Sequence, residues 1–135
     1  MMDMEDKIAP DVDLEALTRQ YLDAFEARDL ERCVGFFHED ATIDFQNTIY
    51  RGRKGIEDWH KDRFAVNLKM IRLDSITVNG DTVLVDGAAA SKRLAAWKIN
   101  ALNGRITIRF EEGKIRQGKL APRLTNPLDL LRSGQ

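Results

Sequence analysis

Apolar residues recur at helical spacing in the first half of the chain and at alternate positions in most of the second half. Helical spacing predicts three helices, at about 13–28, 29–38 and 55–66. Alternation between the second and third helices predicts two short strands, at about 41–46 and 48–51. After Leu68 the period of two predicts four longer strands, at about 68–78, 82–97, 105–110 and 115–121. A short terminal helix is predicted at about 128–132.

The first of the long strands carries a change of parity. Ile71 and Leu73 are odd-numbered, whereas Ile76 and Val78 are even-numbered. One extra residue between them predicts a β-bulge, which bends a strand. The Asn79-Gly80-Asp81 segment that follows is a strong signal for a hairpin turn. We therefore expect a long bent strand that turns back on itself.

The order of these elements predicts the fold class. Helices grouped in the first half and antiparallel strands in the second are typical of an α+β protein, with three helices packed on a strongly curved, mostly antiparallel sheet. A bent sheet folded over helices encloses a cone with an apolar interior, which is a common place for a small-molecule pocket. Residues 1–10 lack periodicity and end at Pro10, so we expect a flexible tail before a single domain at 11–135.

Composition and charge exclude several classes of protein. Of the 135 residues, 43% are hydrophobic and 32% are charged, which supports a folded core and excludes a disordered chain. The formal net charge of −1 argues against a nucleic-acid-binding protein. The acidic start has no apolar signal region, and no stretch approaches the ~20 apolar residues that a membrane span needs. We therefore expect a cytoplasmic protein that binds neither nucleic acid nor membrane.

The cysteine and histidine content limits the chemistry further. The single cysteine, Cys33, lies among apolar residues and is predicted to be inert core. Because the few histidines show no ligand cluster, we expect no metal and no other cofactor.

Three polar residues are candidates for chemistry inside the cone. Tyr21 could donate a hydrogen bond to a carbonyl group, or it could be a core tyrosine with a partner in the protein. His60 could act as a general acid or base, although a half-exposed histidine at a helix boundary is the more frequent case. Asn47 could orient a ligand or a water molecule, or could be a turn residue. Asp44 alternates to the opposite face, where a surface carboxylate paired with an arginine is expected.

A run of five small residues, Gly87–Ser91, lies in the middle of the strand predicted at 82–97. On the concave face, small side chains create either a ligand cavity or room for aromatic residues of the helices to approach the sheet. The second case is more frequent, because protein interiors are closely packed.

The segment from Gln20 to Thr42 (QYLDAFEARDLERCVGFFHEDAT) resembles the opening of the nuclear transport factor 2-like superfamily, in particular its SnoaL-like and ketosteroid-isomerase-like branch. Gly52 and Gly55 before the third helix and the FEEGKI segment at 110–115 fit the same pattern. The resemblance covers about residues 14–122 and implies a cystatin-like cone. It is specific for the fold, because many independent landmarks agree in order. It does not specify a function, because this superfold carries enzymes, binding proteins and transport factors alike.

The resemblance also implies which catalytic groups are present and which are missing. Ketosteroid isomerases use a helix-one tyrosine, which matches Tyr21, together with two aspartates that fall on Phe45 and Ile106. Neither of these side chains can transfer a proton. Asn47 matches the residue that holds the attacking water in limonene epoxide hydrolases, but their Asp-Arg-Asp core has no counterpart. The chain therefore lacks the known base of either group.

Two functions follow from the resemblance. The first is a small-molecule pocket, similar to polyketide cyclases, that acts as a cofactor-independent cyclase, isomerase or dehydratase on an apolar carbonyl-bearing or cyclic metabolite. The alternative is a non-catalytic ligand-binding or dimeric assembly module of the same fold. We also expect a homodimer through the outer sheet face, because apolar residues of both parities suggest burial on both faces. The residues expected to line the pocket are Phe25, Phe45, Trp59, Ala88, Ala90 and Ile106.

Overall fold

The computed structural model describes residues 13–123, so the tail predicted at 1–10 and the helix predicted at 128–132 lie outside the described residues. The helices within this range are α1 (Leu14–Glu26), α2 (Leu30–Gly35), α3 (Gly52–Ala65) and α4 (Lys92–Ala96). The strands are β1 (Phe37–Phe45), β2 (Thr48–Arg51), β3 (Lys69–Asn79), β4 (Thr82–Ala90), β5 (Leu102–Glu111) and β6 (Lys114–Pro122).

The strands of the described residues form one sheet in the order β2-β1-β6-β5-β4-β3. Neighbouring strands are antiparallel except for β1 and β6, which pair in parallel. The last four strands form the predicted meander, and β1 lies beside the final strand of that meander. The predicted α+β class, with helices on a curved and mostly antiparallel sheet, is confirmed.

Side chains supplied by the sequence fix the start of three helices. Asp13, Asp29 and Ser91 each accept a hydrogen bond from the backbone N–H three residues further on, at 3.0, 3.2 and 3.1 Å. The first backbone N–H groups of a helix have no partner inside it, so a polar side chain at this position satisfies one of them. α1, α2 and α4 therefore begin where a capping residue is available.

The bend of the sheet lies where β3 pairs with β4. The pairing shifts register twice, between Met70 and Arg72 and between Leu73 and Ser75, and the second shift is the bulge predicted near Asp74. A Cβ atom at Gly87 would lie 2.2 Å from the backbone oxygen of Arg72. The absence of a side chain at Gly87 therefore allows the two backbones to approach at the bend.

The structure corrects three predicted boundaries. α2 ends at Gly35 and β1 begins at Phe37, so the helix predicted at 29–38 is wrong at its end, because pairing with β6 draws this segment into the sheet. α3 begins at Gly52 rather than at 55. The strand predicted at 82–97 ends at Ala90, and its second half contains α4, because Ser91 caps a run of helix-forming residues.

The core lies between the helices and the concave face of the sheet. Its largest fully buried side chains come from α3 and from the sheet, and they are Trp59, Ile43, Ile56, Ile108, Ile115 and His60. Among the described helices, none has both the length and the apolar character that crossing a membrane requires.

Candidate functional site

A cavity of about 470 Å³ opens between the concave face of the sheet and the helices. Most of the side chains around it are apolar, which is typical of small-molecule pockets. Of the nine candidate residues, seven border this cavity, and these are Tyr21, Phe25, Phe45, Asn47, Trp59, Ala88 and Ile106. His60 and Ala90 do not border it.

His60 lies directly behind Tyr21. It is 0% exposed, so the expectation of a half-exposed histidine at a helix boundary is wrong, because its α3 face packs against α1 and the sheet. The Tyr21 hydroxyl lies 2.7 Å from Nε2 of His60, and Nδ1 of His60 lies 2.8 Å from the backbone oxygen of Ile56. A carbonyl oxygen only accepts, so Nδ1 carries the proton and Nε2 accepts from the tyrosine.

Burial keeps this pair neutral. Desolvation lowers the pKa of His60 to about 4, against the smaller opposing effect of the bond to Ile56. Desolvation also raises the pKa of Tyr21 well above its ordinary value. Proton transfer from the tyrosine to the histidine would create two charges in an apolar site and is therefore strongly disfavoured. The hydroxyl proton of Tyr21 stays on the tyrosine and forms the hydrogen bond to His60. The lone pairs of the Tyr21 oxygen remain available as hydrogen-bond acceptors.

Aromatic side chains form one wall of the cavity. The ring of Trp59 lies 6.0 Å from that of Phe25 and 5.8 Å from that of Phe45, measured between centroids. The guanidinium of Arg63 lies over the Phe45 ring, 4.6 Å from its centre. Phe45, to which the resemblance assigns the position of the isomerase base, is thus a ring that contacts a cation.

Asn47 and Asp44 lie at the turn end of the β1–β2 hairpin. Asn47 is exposed and, like Gln46, has a positive φ, as a two-residue hairpin turn requires. It both borders the cavity and serves as the turn residue. Asp44 is half-buried and alternates away from Phe45. Its neighbour across the parallel pairing with β6 is Lys119, rather than the expected arginine.

The small-residue run divides between the cavity and its surroundings. Val83 and Val85 belong to the core, so alternation along β4 also turns Gly87 and Ala89 towards the helices. Ala89 borders the cavity, as do Gly87 and the buried Ala88, whereas Ala90 does not. The run therefore contributes to an open space and, at Gly87, to the close approach of two strands.

The histidine and cysteine expectations have separate outcomes. The side chains of His38, Glu111 and Glu112 each have a potential metal-ligating atom, and these atoms lie within 4.8 Å of one another. The structure thus contains a cluster of possible metal ligands, although the sequence indicated none. Its histidine already bonds through Nε2 to the backbone oxygen of Glu111, at 2.7 Å. Cys33 is fully buried, and burial raises its pKa to about 12, which is typical of an unreactive thiol.

Several residues that border the cavity were missed by sequence reasoning. Those with the most distinctive chemistry are Arg63 on α3, Arg93 on α4 and the exposed Trp97 directly after α4. The signal for Arg63 was present, because it lies one helical turn after Trp59 and therefore on the same face. Arg93 and Trp97 could not be placed by a pattern interpreted as a strand.

The comparisons with known proteins agree with this geometry. Residues 18–118 match the family described as the SnoaL-like domain, and none of the curated proteins matches the chain. SalBIII, an epoxide hydrolase/cyclase-like enzyme of pyran ring formation in salinomycin, is 18% identical over 82% of this chain and 91% of its own, with a TM-score of 0.71. A nuclear transport factor 2-like protein of unknown function from Cytophaga hutchinsonii is 11% identical over 92% and 99%, with a TM-score of 0.68.

A third structure, from Shewanella denitrificans, is assigned as a SnoaL-like polyketide cyclase. It is 14% identical over 88% of this chain and 96% of its own, with a TM-score of 0.68. At these identities the likeness to the three structures establishes the fold, because one fold carries many activities.

Proposed function

Because this chain belongs to the SnoaL-like domain family, we propose that its cone binds a small, largely apolar ligand that carries a carbonyl group or a ring. The observation that supports this proposal is the cavity of about 470 Å³. Protein interiors are packed to the density of organic crystals, and voids larger than a water molecule are few. A space of this volume within an aromatic and aliphatic wall is of the size that small ligands occupy.

The Tyr21–His60 pair supplies the polar anchor. Since the Tyr21 hydroxyl donates a hydrogen bond to His60, its oxygen can accept a hydrogen bond from a hydroxyl or enol group of the ligand. Donation to a ligand carbonyl would require the tyrosine to abandon His60 and leave a buried nitrogen without a partner, at a cost of about 1–3 kcal/mol. The accepting role favours binding and orientation of the ligand.

Cofactor-independent cyclase, isomerase or dehydratase chemistry is the second candidate function. It is supported by a neutral tyrosine–histidine pair against the cavity and by the cyclase names of the structural neighbours. Such an enzyme would orient a flexible carbonyl compound by the shape of the cone and by Tyr21, with Asn47 at the rim holding a polar end. The apolar side chain of Phe45 at the isomerase base position favours the binding function.

Association of two copies is a further part of the proposal. Ile71, Leu73 and Val78 on β3 are large apolar side chains that remain exposed, which supports a homodimer. Alternation assigns Asp44 and Lys119, among others, to the outer sheet face. This face is therefore more polar than the apolar residues of both parities in the sequence suggested. The pairing of β3 with β4 sets Leu73 opposite Gly87 and Val78 opposite Val83, so these side chains do not lie on the outer face. We therefore propose that the two copies meet along the exposed edge strand β3.

Enlargement of one inward side chain tests the proposed cavity. Ala89→Leu fills space where Ala89 borders the cavity, while Ala90→Leu makes the same change at the adjacent residue, which does not border it. We expect Ala89→Leu to weaken binding of the neutral fluorescent probe N-phenyl-1-naphthylamine at least tenfold with little change in melting temperature, and Ala90→Leu to leave binding intact.

The opposite pattern would end the proposal. Inserting methylene groups into an already packed core costs about 1–3 kcal/mol. A parent protein that does not bind the probe, together with a large loss of stability in Ala89→Leu, would show that the small residues serve packing.

A further inference from the structure

The most unusual polar group at the cavity is the guanidinium of Arg63. The residue is only 9% exposed, although arginine is rarely buried without a partner. Its Nε atom is buried and has no hydrogen-bond partner among the described residues. No ion pair recorded between residues 13–123 includes it, although the surface arginines Arg19, Arg53 and Arg72 all have one.

The groups around Arg63 do not compensate for its burial. Its contact with the Phe45 ring is worth about 0.5–2 kcal/mol, which is less than the several kcal/mol that burial of an ion costs. Desolvation lowers the pKa of this guanidinium, and the positive charge of Arg93 adds to that effect, while Tyr50 and Asp62 act in the opposite direction. Arginine nevertheless stays protonated in proteins.

The distribution of charge around the cavity is also one-sided. The chain as a whole has 21 basic and 22 acidic residues, but the charged residues that border the cavity are Arg63, Lys69, Arg93, Arg105, Lys119 and one acid, Asp44. Arg105 is paired with Asp86 at 2.7 Å, and alternation turns Lys119 and Asp44 together to the outer face. Lys69 lies opposite Ala90, on the outer face of the sheet, so the positive charges of Arg63 and Arg93 are left towards the cavity without an acid.

A position in the last turn of α3 offers a purely structural reason for Arg63, since cations are favoured near the carboxyl end of a helix. That interaction is typically worth 0.3–1 kcal/mol and does not require the side chain to border the cavity. An exposed arginine in the same turn would gain it without desolvation. The burial of Arg63 against an apolar cavity therefore calls for an acceptor inside that cavity.

We infer that the ligand of the cone carries an anionic oxygen group, a carboxylate, which pairs with Arg63 and is attracted by Arg93 at the rim. A planar guanidinium binds a carboxylate through two parallel hydrogen bonds, and such charge-assisted bonds are strong in a site of low dielectric constant. The apolar body of the ligand occupies the space between Trp59 and Ile106. This inference rests on the proposed function, since it assigns an ionised group to the ligand of the same cavity.

Two isosteric molecules test the inference. 2-Naphthoate and 2-naphthamide have the same ring and nearly the same shape, and only the first is charged at pH 7. Calorimetric titration of the parent protein is expected to give an affinity for 2-naphthoate at least tenfold above that for 2-naphthamide, because a hydrogen bond to a charged group is about twice as strong as a neutral one.

Variants assign the preference to the named residues. Arg63→Met keeps most of the side-chain volume and is expected to lower the affinity for 2-naphthoate by roughly 10- to 100-fold, with the affinity for 2-naphthamide unchanged within a factor of three. Arg53→Met removes the same charge from an exposed position of α3 and is expected to leave both affinities unchanged. Arg93→Met, at an exposed rim position where folding is not at risk, is expected to reduce the 2-naphthoate preference a few-fold.

Each outcome bears on one claim. If 2-naphthamide binds as tightly as 2-naphthoate, or if Arg63→Met and Arg93→Met both keep the full preference, the carboxylate inference is overturned and the proposed apolar pocket stands. If the parent binds neither molecule, the cavity does not accept small aromatic ligands, and the proposed function is overturned together with the inference. Should Arg63→Met not fold, the parent preference and Arg93→Met still decide the question.

Discussion

The buried histidine makes a quantitative prediction about stability and pH. An unfolded histidine takes up a proton near pH 6.5, while His60 in the folded protein does so only near pH 4. Between these values the unfolded state binds more protons, so the free energy of unfolding decreases as the pH falls through this window. From the two pKa values, lowering the pH from about 7 to about 4.5 should remove about 2 kcal/mol through His60 alone.

Urea denaturation at several pH values provides the assay, with His60→Gln as the perturbation. Glutamine does not titrate, and its side-chain oxygen can accept the bond from Tyr21. The acidic residues titrate in both proteins, so the difference between the two curves isolates His60. We expect this difference to change by about 2 kcal/mol between pH 7 and pH 4.5.

A matched control makes the same replacement at the other histidine. His38→Gln changes a half-buried residue outside the core and so controls for the loss of a histidine side chain as such. Parallel curves for the parent and His60→Gln would refute the reasoning, since they would mean that His60 takes up its proton equally in both states. If His60→Gln does not fold, an NMR titration of His60 in the parent gives the same answer, and a midpoint above pH 6 would contradict it.

Three further predictions follow from the structure. Gly87→Ala should destabilise the protein by about 1–3 kcal/mol, because the new methyl group would meet a backbone oxygen at 2.2 Å. Gly35→Ala is the control, since nothing lies within 4 Å of a Cβ atom at that position, and equal melting temperatures of the two variants would contradict the prediction. The unmodified protein should not isomerise a 3-ketosteroid above background, since Phe45 cannot abstract a proton, and Phe45→Asp should be the only one of the two with measurable activity; robust turnover by the parent would show that the assignment of Phe45 is wrong. Sedimentation equilibrium at micromolar concentration should give twice the chain mass of 15.4 kDa, and a monomer mass would rule out the homodimer.

Local patterns were sufficient to predict much of the fold. The parity change near Asp74 and the Asn79-Gly80 turn each depend on neighbouring residues, and the structure contains both the bulge and the turn. The parallel pairing of β1 with β6 joins segments that are far apart in sequence, so no local period could indicate it. α4 was missed because its five residues are too few to show a helical period directly after a run of small residues.

The candidate site was predictable in its wall but not in its charges. Helical spacing put Phe25 and Trp59 on helix faces that border the cavity in the structure. It could not predict how deeply His60 is buried, because that depends on how closely α1 and the sheet approach α3. The burial of Arg63 likewise results from three-dimensional packing, which no local pattern indicates.

Isotope-filtered NMR of the protein with bound N-phenyl-1-naphthylamine tests the central claim, an occupied cone, most directly. The account predicts nuclear Overhauser contacts from the probe to the methyl groups of Ala89, Ile106 and Leu120, all of which border the cavity. Contacts to Leu84, which alternation places on the outer face of β4, with the three inner methyl groups unaffected, would contradict it.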